Sequence, residues 1–192
     1  DLDATSAYNV VTGKDGKAKY ADAKVNLGAS GDTTNLDNMK KSLEIIRQAN
    51  AKRASEGLTS LKVTDYLMAV SQIQTDWARY QVAHSQMYNV AENLAWHPNI
   101  DSAFKAWYDE EKECYQNPSC TGVTGHYTNI VGKSYTVTGA AIGDSYNGYS
   151  GTQGQVFSSS GSPSYTVDEY EKFLDDCLEK HILTPLDIEK IN

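Results

Sequence analysis

Apolar residues recur at helical spacing over the first half of the chain and alternate over Gly125–Val131 in the second. Asp37 suits an N-cap, and a helix is expected from there to about Ser55, stopped at Gly57. Met39, Leu43, Ile46, Asn50 and Ala54 share its expected buried face. A second helix is expected from Thr64 or Asp65. Tyr66, Val70, Ile73, Trp77, Tyr80 and His84 follow at steps of four, three, four, three and four, which is one helical stripe ending on a histidine. Gln86–Val90 reads as a loop into Ala91–Trp96, and His97-Pro98 breaks the path. Asp101 can cap a third helix reaching Cys114, with Ala103, Phe104, Trp107 and Cys114 as its apolar stripe. Glu110 and Glu111 fall three and four residues after Trp107, so that either can border it.

Past Cys120 the composition turns to Gly, Thr, Tyr, Val and Ser. Strands are expected at 125–131, 135–142 and 152–158, with a turn at Asn147-Gly148. Thr166 or Asp168 then caps a helix with Tyr170, Phe173, Leu174, Cys177 and Leu178 on its core face. Thr184-Pro185 can open one more short helix. Residues 1–36 lack periodicity and read as an irregular arm with a short hairpin at Thr12–Gly16. The division expected is an arm over 1–36, a domain over 37–180 and a tail over 181–192. Helices first and strands later predict an α+β fold.

Composition narrows the class of partner. The 192 residues are 40% hydrophobic and 22% charged, which fits one globular domain with extensions. A formal net charge of −8 repels phosphate backbones and anionic lipid headgroups, arguing against nucleic acid and acidic membranes. No apolar run approaches a transmembrane length. Asp1 opens the chain without a signal peptide, which fits a cytosolic protein or the mature form of an exported one. Cys114 and Cys120 flank a turn-prone segment, where a local disulfide is sterically allowed and two free thiols are the alternative. Closing so short a loop contributes about 2 kcal/mol on the chain-entropy account. Cys177 is expected in the core.

The chemistry-bearing residues stand in a recognisable order. His84-Ser85 precedes Ala91-Glu92-Asn93-Leu94-Ala95-Trp96; Trp107-Tyr108-Asp109-Glu110 follows; Gly125-His126-Tyr127-Thr128-Asn129-Ile130-Val131 comes last. Over roughly residues 37–160 the chain resembles the CAP superfamily of cysteine-rich secretory proteins, antigen 5 and pathogenesis-related protein 1, also called SCP domains. The resemblance implies a three-layer α-β-α sandwich around a small central antiparallel sheet. It implies secretion, favours the Cys114–Cys120 disulfide, and places a cleft tetrad at His84, Glu92, Glu110 and His126. Choosing Glu110 over Glu111 rests on the resemblance alone. Asn129 stands where the family usually has Gln, Gly132 where it has Trp, and Ala91 where it has Gly. The cysteine-bearing second signature and the extra cysteines of animal and plant members are absent, which points to a bacterial member, secreted or surface-displayed by a Gram-positive organism.

Three functions follow from such a tetrad. The first is a non-catalytic module whose cleft takes a divalent metal, zinc being expected at His84 and His126, and a small or lipidic ligand. The second is a metal-dependent hydrolase in which Glu92 or Glu110 serves as base. The third is a surface interaction protein with a purely structural tetrad, meeting its partner through Tyr135, Tyr146 and Tyr149. On an alternating strand His126 and Tyr127 would face opposite ways. His97 and His181 attract no role.

Overall fold

Three glycines let a helix lie almost against the sheet backbone. A computed structural model describes residues 4–17, 23–146 and 148–181. Helix α1 covers Thr5–Val11 and α2 covers Leu36–Ser55. Strand β1 (Lys62–Val63) leads into α3 (Asp65–Gln81), and β2 covers Ala91–Ala95. A continuous helical stretch follows: α4 (Ile100–Phe104), a π-helical turn (Lys105–Glu110) and α5 (Glu111–Gln116). Then come α6 (Gly125–Ile130), β3 (Val137–Tyr146), β4 (Tyr149–Ser158) and α7 (Val167–His181).

The sheet runs β1-β3-β4-β2. It is antiparallel except for β1, which lies parallel to β3. Helix α3 packs on one face and carries α1 on its outer side; α2 packs on the other face with α7 beside it. This is the expected α-β-α sandwich. Each face has its own core. Leu67, Val70, Ile73 and Val156 with Val10 of α1 fill the α3 side, while Leu43, Ile46, Trp107, Phe157 and Tyr170 fill the α2 side.

Gly139, Gly143 and Gly154 meet α3. A methyl on Gly139 would overlap the Leu67–Met68 backbone, one on Gly143 the Arg79 side chain, and one on Gly154 the Thr75 hydroxyl. Because the helix sits so low, most of its length is enclosed. Its buried residues include Ser71, Gln72, Gln74, Thr75, Asp76 and Arg79 besides the apolar ones. The expected stripe is therefore only part of its buried surface, and Tyr66 at the stripe's start is exposed.

Several expected elements differ. Residues 5–11 of the supposed irregular arm form α1, because Val10 finds an apolar seat on α3. Thr12–Gly16 is a turn after that helix rather than a hairpin, with Gly13 and Gly16 at positive φ. The cap of α2 is Asn35, whose side chain accepts from the Asp37 amide. Thr64 caps α3. Asn99, not Asp101, caps α4. Thr166 and Glu169 form a reciprocal capping pair at α7. Cys177 on that helix is exposed rather than in the core. The 125–131 segment is helical, with Tyr127 and Ile130 buried one turn apart. The hairpin pairs Tyr146 with Tyr149; Asn147 and the Thr184-Pro185 segment lie outside the described residues.

Candidate functional site

Helix α3 does not reach His84. It ends at Gln81, where Val82 turns left-handed (φ 51°), and Gln86 on the far side of His84 is also at positive φ (57°). Neither residue type favours that region, so strain brackets this histidine. The turn delivers the imidazole to the edge strand, where Nδ1 meets Glu92 Oε2 at 2.6 Å. Glu92 Oε1 accepts from Gln74 Nε2 of α3 at 2.8 Å. Gln74 Oε1 in turn accepts from the Ser85 hydroxyl and the Tyr88 amide. Glu92 is nearly buried, at 7% side-chain exposure, while His84 is about half exposed at 48%. The Glu92 hydrogen bond holds the His84 pKa above its usual value; burial opposes this and the carboxylate charge adds to it.

A groove of about 600 Å³ opens beside this pair. Its walls include Lys17, His84, Met87, Tyr88, Asn89 and Glu92. Lys17 comes from the N-terminal segment, which is fastened there by a 2.7 Å hydrogen bond from the Tyr88 hydroxyl to Asp15. Lys17 Nζ lies over the Tyr88 ring, 5.5 Å from its centre.

His126 forms a second pair, and its partner is Glu111. Nδ1 of His126 is hydrogen-bonded to Glu111 Oε1, and Glu111 Oε2 accepts from the Tyr127 amide at 3.0 Å. One carboxylate thus fixes the imidazole and satisfies a free N–H at the start of α6. Trp107 stacks on the imidazole at 6.1 Å between ring centres and donates its indole N–H to Leu94 O. Glu110, the expected member, points to solvent at 62% side-chain exposure, 3.9 Å from Lys105. The π-helical turn is the physical reason. It adds a residue to the turn that carries Trp107, so the residue four places on, rather than three, shares the Trp107 face. The helical form of 125–130 also resolves the facing problem. His126 offers its ring and Tyr127 its backbone to the same carboxylate, while the Tyr127 side chain is buried between Tyr108 and Tyr115.

Strand β2 stands between the two pairs. Glu92 points to α3, and the next residue, Asn93, points to α6, where its Nδ2 donates to His126 O at 3.1 Å. Asn129 returns the contact, donating to Asn93 Oδ1 at 2.9 Å. Of the four expected residues, His84 and Glu92 pair on one side, His126 stands on the other with Glu111, and Glu110 joins neither pair. Among the described residues no hydrogen bond or ion pair joins the two pairs. Nor do three or more His, Cys, Asp or Glu side chains gather as a metal-holding group.

The remaining candidates sort plainly. Cys114 and Cys120 form a disulfide. Tyr146 and Tyr149 are exposed at the hairpin end, whereas Tyr135 packs on Phe157 and does not join them. Sequence reasoning passed over Lys17 and Gln74, which line the groove, and set aside Glu111, which holds His126. Glu111 had a signal in its spacing from Trp107; Lys17 and Gln74 had none short of the tertiary fold.

A buried side-chain layer with an α-β-α sandwich and His–carboxylate pairs at its edge strand defines the architecture. The family profile described as "CAP: Cysteine-rich secretory protein family" matches residues 46–160, and the chain belongs to that family. Among solved structures, the venom allergen-like protein 4 of Schistosoma mansoni is similar. It shares 18% identity and a TM-score of 0.46, covering 72% of this chain and 92% of that one. A search of curated proteins finds no match.

Proposed function

We propose that the chain is a secreted or surface-displayed, non-catalytic binding module of a bacterium, whose groove beside His84 and Glu92 takes a small or lipidic ligand. The observation that carries this reading is the commitment of both buried carboxylates. Glu92 serves Gln74 and His84, and Glu111 serves His126 and the Tyr127 amide. A carboxylate acting as hydrolytic base needs an oxygen free for a water, and the oxygens of these two are taken by Gln74, His84, His126 and the Tyr127 amide. The strained backbone at Val82 and Gln86 supports a site at His84 rather than a packing histidine. The disulfide supports an extracellular setting. No helix among the described residues is long and apolar enough to cross a membrane.

A divalent metal is the second reading. In each pair the carboxylate engages Nδ1, leaving Nε2 of His84 and His126 as the nitrogens that would hold zinc. Two imidazoles set on either side of β2, with no third His, Cys, Asp or Glu donor gathered beside them among the described residues, do not fit a closed structural site. Calorimetry separates the readings. If His84 and His126 hold zinc, wild type binds it and the His84→Ala, His126→Ala double variant does not. Equal behaviour of the two proteins removes the metal. Chelator-sensitive turnover on an ester and peptide panel, lost in Glu92→Gln, would replace the binding module with a hydrolase.

A further inference from the structure

Asp76 is a wholly buried carboxylate that neither His–carboxylate pair uses. It lies on α3, where it receives a segment from far along the chain. Thr33 donates its hydroxyl to Asp76 Oδ2 at 2.8 Å and its amide to Oδ1 at 3.5 Å. The same hydroxyl reaches Gln72 O at 3.1 Å, and Gln72 Nε2 donates to Thr33 O at 3.3 Å. Every polar group of Thr33 is therefore held by α3. The loop around it, residues 26–35, is rolled on Asp32, whose carboxylate accepts from the Asn26 and Thr34 amides. Its other side is held by β3, where the Asp144 amide donates to Gly31 O at 3.1 Å.

The charges facing Asp76 are few. Arg79, one turn along α3, donates to Oδ1 at 3.1 Å. Asp32 from the loop opposes ionisation, and Asp144 approaches the loop from the far side, where it accepts from Asn38 of α2. Burial is the largest influence and penalises the charged form, Asp32 adds to it, and Thr33 and Arg79 pull the other way. The balance raises the pKa to about 7.

We propose that Asp76 and Thr33 form a proton-sensitive clasp that fixes loop 26–35 on α3 more tightly in acid than at neutral pH. When the loop lifts, water reaches the carboxylate and Asp76 regains an ordinary acidity. Opening therefore competes with protonation, and each proton lost between the two pKa values favours the open form. The clasp bears on a second groove of about 500 Å³ whose walls include Asn38, Gly143, Asp144 and Gln153. Loop 26–35 braces Asn38 and Asp144 through Asp32 O and Gly31 O.

Amide hydrogen exchange of the full chain, followed by NMR between pH 4.5 and 7.5, reads the clasp directly. After correction for intrinsic exchange, the opening constant of the Thr33 amide is expected to rise at least tenfold between pH 5 and 7, and to be flat in Asp76→Asn. A flat wild-type profile, or an equal slope in Asp76→Asn, overturns the proposal. Should Asp76→Asn fail to fold, the side-chain carboxyl resonance of wild-type Asp76 decides. A midpoint near 7 is expected, and one in the ordinary carboxylate range near 4 defeats it.

Discussion

His126 is hydrogen-bonded to Glu111, and Glu110, one residue earlier, is left in solvent. The pairing is specific because the same carboxylate also accepts the Tyr127 amide. Glu111→Gln removes a charged acceptor from both donors and is expected to cost about 1–3 kcal/mol. Glu110→Gln is expected to stay within about 0.5 kcal/mol of wild type. Denaturant unfolding of the two variants checks this, and the reverse order would move Glu110 into the cleft.

His84 carries a prediction with a definite sign. Its folded pKa is raised by the hydrogen bond to Glu92. The protonated pair therefore stabilises the fold fully below about pH 6.5, the ordinary histidine value. That stabilisation is lost as pH rises through the higher folded midpoint. With His84 about half exposed, solvent screening keeps the effect under about 1 kcal/mol. NMR titration should place the His84 midpoint above 6.5 and bring it down in Glu92→Gln. An unchanged midpoint in that variant would remove Glu92 as the cause.

Among the described residues Arg53 has no carboxylate partner, yet it is 1% exposed. Its guanidinium donates to the carbonyls of Thr59, Ile130, Gly132 and Tyr135, at 2.9, 2.9, 2.9 and 3.3 Å. These bonds tie the end of α2 to the turn between α6 and β3, and so hold His126 at the sheet edge. A lysine has one nitrogen and cannot serve four acceptors spread over a planar fork. Arg53→Lys is expected to cost about 2–4 kcal/mol, with loosened exchange protection at residues 130–135. A loss below about 0.5 kcal/mol, the range of a neutral surface change, would show the fork to be dispensable.

Gly139 and Gly125 test the close approach of α3. Gly139→Ala drives a methyl into the Leu67–Met68 backbone, which cannot yield without moving the helix. It is expected to cost about 3 kcal/mol or more. Gly125 opens α6 with nothing within 4 Å of an added methyl. Gly125→Ala is expected to be neutral or stabilising by up to about 1 kcal/mol. Thermal unfolding of both variants decides it; equal effects would mean the helix does not rest on the glycines.

Period and capping chemistry determined much of this protein. The apolar spacing of α2 and α7 and the Thr64 cap are local signals: Leu43, Ile46, Tyr170 and Leu174 are buried as their spacing demands, while Ala54 and Cys177 on the same expected faces are exposed. Motif order identified the family. Long-range contact decided the rest. Gly125–Val131 alternates like a strand, yet it folds as a helix because Glu111 and Asn93 supply the partners its polar groups need. A stripe continued through His84 would have kept α3 going, but Val82 turns the chain toward Glu92. Which glutamate faces His126 depended on a π turn that no spacing rule marks, since i+3 and i+4 are equal neighbours on an ideal helix. Asp76 reads in sequence as an ordinary charged helix residue. Only the fold, by bringing Thr33 and Asp32 against it and excluding water, made it a buried acid.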